Sequence, residues 1–134
     1  MNKNTDRFIS LSDGFVKTLK NAGYDFDYSE KSLKHLEFAI NGLKSEKNSK
    51  DAKKMAYVYF AVYIAEVFVK EMHTLKLEIQ YIGDEIDEVM ISDGRSYIYL
   101  LNWIYEYEKN PKKESIVKKY RSTIKLISPK KGIN

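Results

Sequence analysis

The sequence predicts an α+β fold with three N-terminal helices, a three-stranded antiparallel β-meander and two C-terminal helices. Three observations carry this prediction: a helical apolar period before residue 72, a period of two from Leu75, and a helical period again after Leu100. Helices, then strands, then helices is the element order of the α+β class. A chain of 134 residues suits one domain. We therefore expect a single domain over 1–134, with an ordered core at about 5–127 and a frayed tail at 128–134.

Two amphipathic helices are predicted in the first third of the chain. In residues 5–21 apolar side chains recur at spacings of three and four, and Gly23 is placed to end that helix. Ser29 is a favourable N-cap for the second helix, and Tyr28 and Leu33 have the spacing of a hydrophobic staple around it.

The third helix is predicted to be the centre of the fold. Asp51 is its expected N-cap, and the helix should end at about Glu71. Every residue from 55 to 69 is apolar or tyrosine except Glu66. A helix that is apolar on all sides is buried on all sides. The apolar run of this helix is too short to span a bilayer, since a membrane-spanning helix needs roughly 18 apolar residues.

Three short strands follow. Apolar and polar residues alternate from Leu75 to Tyr81, and further strands are predicted over Ile86–Ile91 and Tyr97–Leu100. Turn residues separate them at 83–85 and at 93–94. Short turns between strands predict an antiparallel meander with one face on the helices.

Two helices are predicted after the strands. Asn102 is the expected cap of a short helix, and Asn110 followed by Pro111 is typical of a helix start. Pro129 should end the last helix.

This order of elements resembles a family of small bacterial α+β domains of unknown function. The resemblance covers roughly residues 24–127 and rests on Tyr28-Ser29 at a helix start, Ala65-Glu66 in place of a Gly-Glu pair, the strands from Leu75 to Leu100, and Trp103. It implies the same fold class but no established activity. Separately from this resemblance, bacterial genes of such size and character are sometimes immunity or accessory proteins of toxin systems, which is an expectation about genomes and not one from the residues.

Signatures of catalysis are missing from the sequence. Without cysteine there is no disulfide, thiolate metal site or cysteine nucleophile. Neither Gly-x-Ser-x-Gly nor a glycine-rich phosphate loop is present, and the two histidines, His35 and His73, lack a metal-binding spacing. We therefore expect no catalytic residue, metal or cofactor, although an enzyme is left open. The polar start of the chain and the missing membrane span predict a cytoplasmic protein.

Glu66 marks the first candidate site. A lone carboxylate among apolar residues is costly to bury unless it is paired or protonated. Tyr59, Tyr63 and Lys70 share its flank of the helix, so that Tyr59, Tyr63 and Glu66 could line a small pocket for a ligand. The alternative is a structural carboxylate satisfied by tyrosine hydroxyls, a backbone amide or a cation.

The second candidate site, which we call the acidic–aromatic surface, lies in the strand region. Its residues are Glu78, Asp84, Glu85, Asp87, Glu88, Tyr97 and Tyr99. Carboxylates speed the encounter with a basic partner, and exposed tyrosines are frequent interface anchors. A protein partner or a homodimer is therefore predicted to dock here. The alternative is a solvated turn whose charges prevent edge pairing.

The charge of the chain is unevenly distributed. Residues 109–134 hold nine lysines and arginines against Glu114 alone, a net charge of +8, which leaves −4 for residues 1–108. A basic helix could follow a phosphate backbone, but no zinc finger, helix-turn-helix or stacking platform accompanies it. We therefore expect nucleic acid to be a marginal partner.

The sequence leaves three functional hypotheses, in descending order of preference. The protein is a protein-binding module of immunity or accessory type, a ligand binder or enzyme with a site around Glu66, or a weak nucleic-acid binder.

Overall fold

The computed structural model describes residues 3–45, 50–72, 77–82 and 88–127, and in these residues the α+β prediction is confirmed. Three helices precede an antiparallel three-stranded sheet, and two helices follow it. The helices are α1 (Lys3–Asn21), α2 (Leu33–Ser45), α3 (Lys50–Glu71), α4 (Leu100–Lys109) and α5 (Ile116–Ile127). The strands are β1 (Glu78–Ile82), β2 (Glu88–Ser92) and β3 (Tyr97–Tyr99), and one 3-10 turn (Glu30–Ser32) leads into α2.

The helix α3 forms the core of the fold, as its uniform apolar character predicts. From Ala56 to Phe68 every side chain except Tyr59 and Glu66 is buried. The helices α1, α2 and α4 and the strands β1 and β2 all pack against it. Since each fully buried large apolar side chain contributes about 1.5–3 kcal/mol, this helix dominates the stability of the domain.

The sheet has one covered face and one open face. The strand order is β1-β2-β3, and Ile79, Ile91 and Ile98 stand opposite one another across it. Ile79 and Ile91 are buried against the helices. Since side chains alternate between faces, Tyr97 and Tyr99 point to the other side, where they are 57% and 49% exposed.

Two predicted signals at helix ends in the N-terminal half are confirmed. Gly23 adopts a φ of +105° after the last turn of α1, a left-handed conformation that glycine adopts without strain. The side chain of Ser29 accepts a hydrogen bond from the backbone N–H of Ser32 and thereby caps the 3-10 turn. Tyr28 just before it also has a positive φ, of 63°, which is uncommon for a residue with a side chain.

Three predicted helix starts are wrong. The helix α3 begins at Lys50, so that Asp51 lies in its first turn and is not its cap. The helix α4 begins at Leu100, which shortens the third strand by one residue, and Asn102 is inside the helix. There the cap comes from another element, because the Glu88 carboxylate of β2 accepts a hydrogen bond from the N–H of Leu101 at 2.7 Å.

The start of the last helix also differs from the prediction. Asn110 accepts a hydrogen bond from the N–H of Lys113, which closes a separate turn, and α5 begins at Ile116. The Ser115 hydroxyl accepts a hydrogen bond from the N–H of Lys118 in the first turn of α5. The predicted turn at 83–85, the strand start at Leu75 and the tail at 128–134 lie outside the described residues.

Candidate functional site

Glu66 points from α3 toward α1, where its carboxyl group meets that of Asp13. The Oε1 atom of Glu66 is buried and has no hydrogen-bond partner. Burial, followed by the charge and the hydrogen bond of Asp13, raises the pKa of Glu66 to about 8, although Lys70 opposes this shift. At neutral pH the Glu66 carboxyl group is therefore mostly protonated and acts as the donor toward Asp13.

Tyr28 completes this carboxyl pair from the loop before α2. Its hydroxyl group donates a hydrogen bond of 2.6 Å to Oδ1 of Asp13. Burial, and then the hydrogen bond to Asp13, raises the pKa of Tyr28, so that the phenol keeps its proton. The ammonium group of Lys70 lies 4.5 Å from the centre of the Tyr28 ring, within cation–π range.

Tyr63 is fully buried, and its hydroxyl group holds the start of α2 against α3. This oxygen accepts a hydrogen bond from the backbone N–H of Tyr28 at 2.8 Å and lies 2.6 Å from the hydroxyl oxygen of Ser32. Burial raises the pKa of Tyr63 to about 12. Because both contacts of the hydroxyl group are made within the protein, Tyr63 stabilises the packing of α2 on α3, and its hydroxyl group is not open to a ligand.

Tyr59 belongs to a different contact. Its ring packs against Phe15 of α1 at 5.3 Å between centroids, and its carbonyl oxygen accepts a hydrogen bond from the buried Ser12 hydroxyl. Of the predicted pocket, the structure thus places Tyr63 and Glu66 near the same loop, joined by Tyr28 and Asp13. The sequence did not indicate that Tyr28 and Asp13 belong to this site, because they come from elements distant in sequence from α3.

The outer face of the sheet carries the described part of the acidic–aromatic surface. A concave region of about 330 Å³ is lined by Glu78, Gln80, Ser92, Asp93, Gly94 and Tyr97. The Asp93 carboxylate accepts hydrogen bonds from the N–H groups of Ser96 and Arg95, and these lower its pKa, so that it stays negative.

The predicted members of this surface differ in their surroundings. Glu78, Tyr97 and Tyr99 are exposed. Glu88 instead uses its Oε1 atom to accept hydrogen bonds from the N–H groups of Val89 and Leu101. Burial raises the pKa of Glu88, although these hydrogen bonds oppose the shift. Asp84, Glu85 and Asp87 lie outside the described residues.

A further cavity, of about 320 Å³, lies beside the first turns of α3. Glu108 is one of its lining residues, and its carboxylate already has partners. Its Oε2 atom accepts a hydrogen bond of 2.6 Å from the Tyr57 hydroxyl and lies 3.5 Å from the ammonium group of Lys53. The ring nitrogen Nδ1 of His35 accepts a hydrogen bond from the N–H of Asp25, and His73 lies outside the described residues.

In the described part of the chain, no group of three or more histidine, aspartate or glutamate side chains could hold a metal ion. None of the helices in this part combines the length and the apolar character needed to cross a membrane. No protein-family model matches the chain, and neither a curated protein nor a solved structure shows significant similarity to it.

Proposed function

We propose that this protein is a protein-binding module whose outer sheet face binds a basic segment of a partner protein. The observation that carries the proposal is the exposure of Tyr97 and Tyr99 beside the carboxylates of Glu78 and Asp93. An accessory or immunity-type role, in which the partner is a basic toxin or enzyme, fits such a surface.

The register of the sheet supports this proposal. Glu78, Ser92 and Tyr97 form one row across the outer face. Gln80, Met90 and Tyr99 form the neighbouring row, in which Met90 is only 6% exposed. The exposed rings of Tyr97 and Tyr99 beside the buried, apolar Met90 suit the centre of an interface, where aromatic anchors supply most of the affinity.

Charge supports a basic partner over a second copy of the chain. In sequence, residues 78–93 contain six acidic residues and no basic one, and of these the structure describes Glu78 and Asp93 as exposed beside the concave region. Two copies of such a surface would repel each other if they met face to face, whereas a basic partner would be attracted.

The competing hypothesis of a ligand site at Glu66 has less support. The free oxygen of Glu66 is sealed from solvent, and the hydroxyl group of Tyr63 is used by Tyr28 and Ser32. A binding or acid–base group must be reached by its substrate, which this arrangement does not favour.

A photo-crosslinking experiment tests the proposal. A photoreactive phenylalanine analogue is placed at Tyr97 in one sample and at Leu11 in the other, because Leu11 is an exposed apolar residue of α1. We expect a crosslinked protein from position 97 only. Binding kinetics with that purified protein then follow, in which Tyr99→Ala should raise the dissociation rate by about tenfold.

In the same experiment Glu78→Lys should slow association, and less so at high salt, whereas Leu11→Ala should change neither rate. Two outcomes would show that the outer sheet face is not the binding site. One is equal crosslinking from both positions, and the other is a captured protein whose association and dissociation rates are unchanged by Tyr99→Ala and Glu78→Lys.

A further inference from the structure

Another concave region lies between the start of α2 and the N-terminal half of α5, away from the sheet. It encloses about 430 Å³. Four of its lining residues are cations: Lys31, Lys34, Lys118 and Arg121. We call it the cation-lined cleft.

The cations of the cleft are only partly neutralised. Arg121 Nε donates a hydrogen bond of 3.0 Å to Oε2 of Glu30, and Lys34 lies 4.0 Å from Glu37. Lys31 and Lys118 form no ion pair within the described parts of the chain. Because a guanidinium group has five N–H donors, Arg121 keeps further donors for a ligand.

The walls of the cleft are held together by the buried Glu37. This residue is 5% exposed, and its Oε2 atom accepts hydrogen bonds from the Ser115 hydroxyl at 3.0 Å and from the N–H of Val117 at 3.2 Å. The first turn of α5 is therefore already occupied by a carboxylate. A ligand would be bound by the cations on the walls, and the link through Glu37 holds the two helices that carry them next to each other.

An exposed aromatic ring stands next to one of these cations, Lys34, although the ring is not itself part of the lining of the cleft. Phe38 is 51% exposed, and the ammonium group of Lys34 lies 5.8 Å from the centre of its ring. Since residues four apart lie on one side of a helix, Phe38 extends the row that begins with Lys34. Phosphate groups pair with arginine and lysine, and a nucleobase stacks on an aromatic ring.

We propose that the cation-lined cleft binds a nucleoside diphosphate, with its phosphates on Lys31, Lys118 and Arg121 and its base against Phe38. This proposal is independent of the partner surface on the sheet, because the two sites share no residue. The charge of the two phosphates matches the unpaired lysines, and only a ligand with an aromatic part would use both features.

Calorimetric titration of the full chain tests the proposal, with ADP, pyrophosphate and sulfate as probes at about 0.15 M salt, where weak surface attraction is screened. The variant Lys31→Ala/Lys118→Ala should bind both ADP and pyrophosphate about tenfold more weakly. Phe38→Ala should weaken the binding of ADP and leave that of pyrophosphate unchanged. The control Lys17→Ala/Lys109→Ala removes the same charge from exposed positions outside the cleft and should change neither.

Several results would overturn the proposal. These are the absence of saturable ADP binding, sulfate binding as tight as that of pyrophosphate, equal losses in the control variant, or unchanged ADP binding by Phe38→Ala. Tight binding of a short single-stranded RNA in the absence of ADP binding would assign the cleft to a polymer instead. Circular dichroism of each variant verifies that it is folded before its titration is compared.

Discussion

At the scale of single residues, the ionisation of Glu66 is linked to folding across the neutral pH range. Its pKa is about 8 in the folded protein against an ordinary value of 4.5. Between these two values the folded state keeps a proton that the unfolded state has released. Stability therefore falls as pH rises through this window, whereas below it both states are protonated and the contribution is constant.

The variant Glu66→Gln tests this linkage, because an amide keeps a hydrogen-bond donor toward Asp13 but cannot ionise. From about pH 5 to about pH 9 its free energy of unfolding should fall less than that of the wild type, by on the order of 1–2 kcal/mol. Urea unfolding at a series of pH values gives this difference. Asp6→Asn, at an exposed position of α1, should follow the wild-type profile. Parallel curves for Glu66→Gln and the wild type would contradict the buried, protonated Glu66.

The sequence was sufficient to single out Glu66 but not its partners. A lone carboxylate in an apolar helix is conspicuous, whereas Asp13 is one of several exposed polar residues of α1. Tyr28 reaches Asp13 from the loop before α2. Its backbone there has a positive φ, and no periodic pattern in the sequence predicts this conformation. The pair arises from the packing of α1 on α3, which is a tertiary contact.

At the scale of elements, the starts of three helical segments depend on carboxylates that are distant in sequence. The N–H of Glu30 donates to Glu71, that of Leu101 to Glu88, and that of Val117 to Glu37. The first N–H groups of a helix have no partner within it. A carboxylate placed there stabilises the helix in two ways, because it accepts a hydrogen bond from such an N–H group and interacts favourably with the positive end of the helix dipole.

These distant caps explain why helix existence was predictable while some boundaries were not. The apolar periods of α1 and α5 and the uniform apolar character of α3 are local properties of the sequence, and each helix is present in the structure. Asn102 and Asn110 were plausible local caps, but Glu88 from the neighbouring strand and the Ser115–Glu37 contact determine the actual starts. Ser29 was predicted correctly because its cap is local.

The role of Glu88 as a cap gives a stability prediction. Glu88→Ala removes the acceptor for the N–H groups of Val89 and Leu101 and should destabilise the protein by about 1–2 kcal/mol in urea unfolding. Glu78→Ala, at an exposed position of the neighbouring strand, should change stability by less than about 0.5 kcal/mol. Similar losses in the two variants would show that the Glu88 hydrogen bonds do not stabilise α4.

At the scale of the whole molecule, burial is concentrated on α3 and decreases toward α5. The helix α3 is enclosed by α1, α2, α4 and two strands. In contrast, α5 buries Ile116 and Tyr120 but leaves Leu126 83% exposed. The like charges of Lys118 and Arg121, three residues apart, also disfavour the isolated helix.

This gradient predicts two levels of stability in native-state hydrogen exchange. Amides between Ala56 and Phe68 should exchange only through global unfolding, because opening α3 exposes the whole core. Amides of α5 should exchange through local opening, with protection factors lower by about tenfold or more, on the order of 1.4 kcal/mol. Exchange followed by NMR at several low urea concentrations separates the two, since local opening exposes little surface and responds weakly to urea. Equal protection and equal urea dependence of α5 and α3 would mean that Ile116 and Tyr120 join α5 to the cooperative core, and that the cation-lined cleft keeps its shape for as long as the protein is folded.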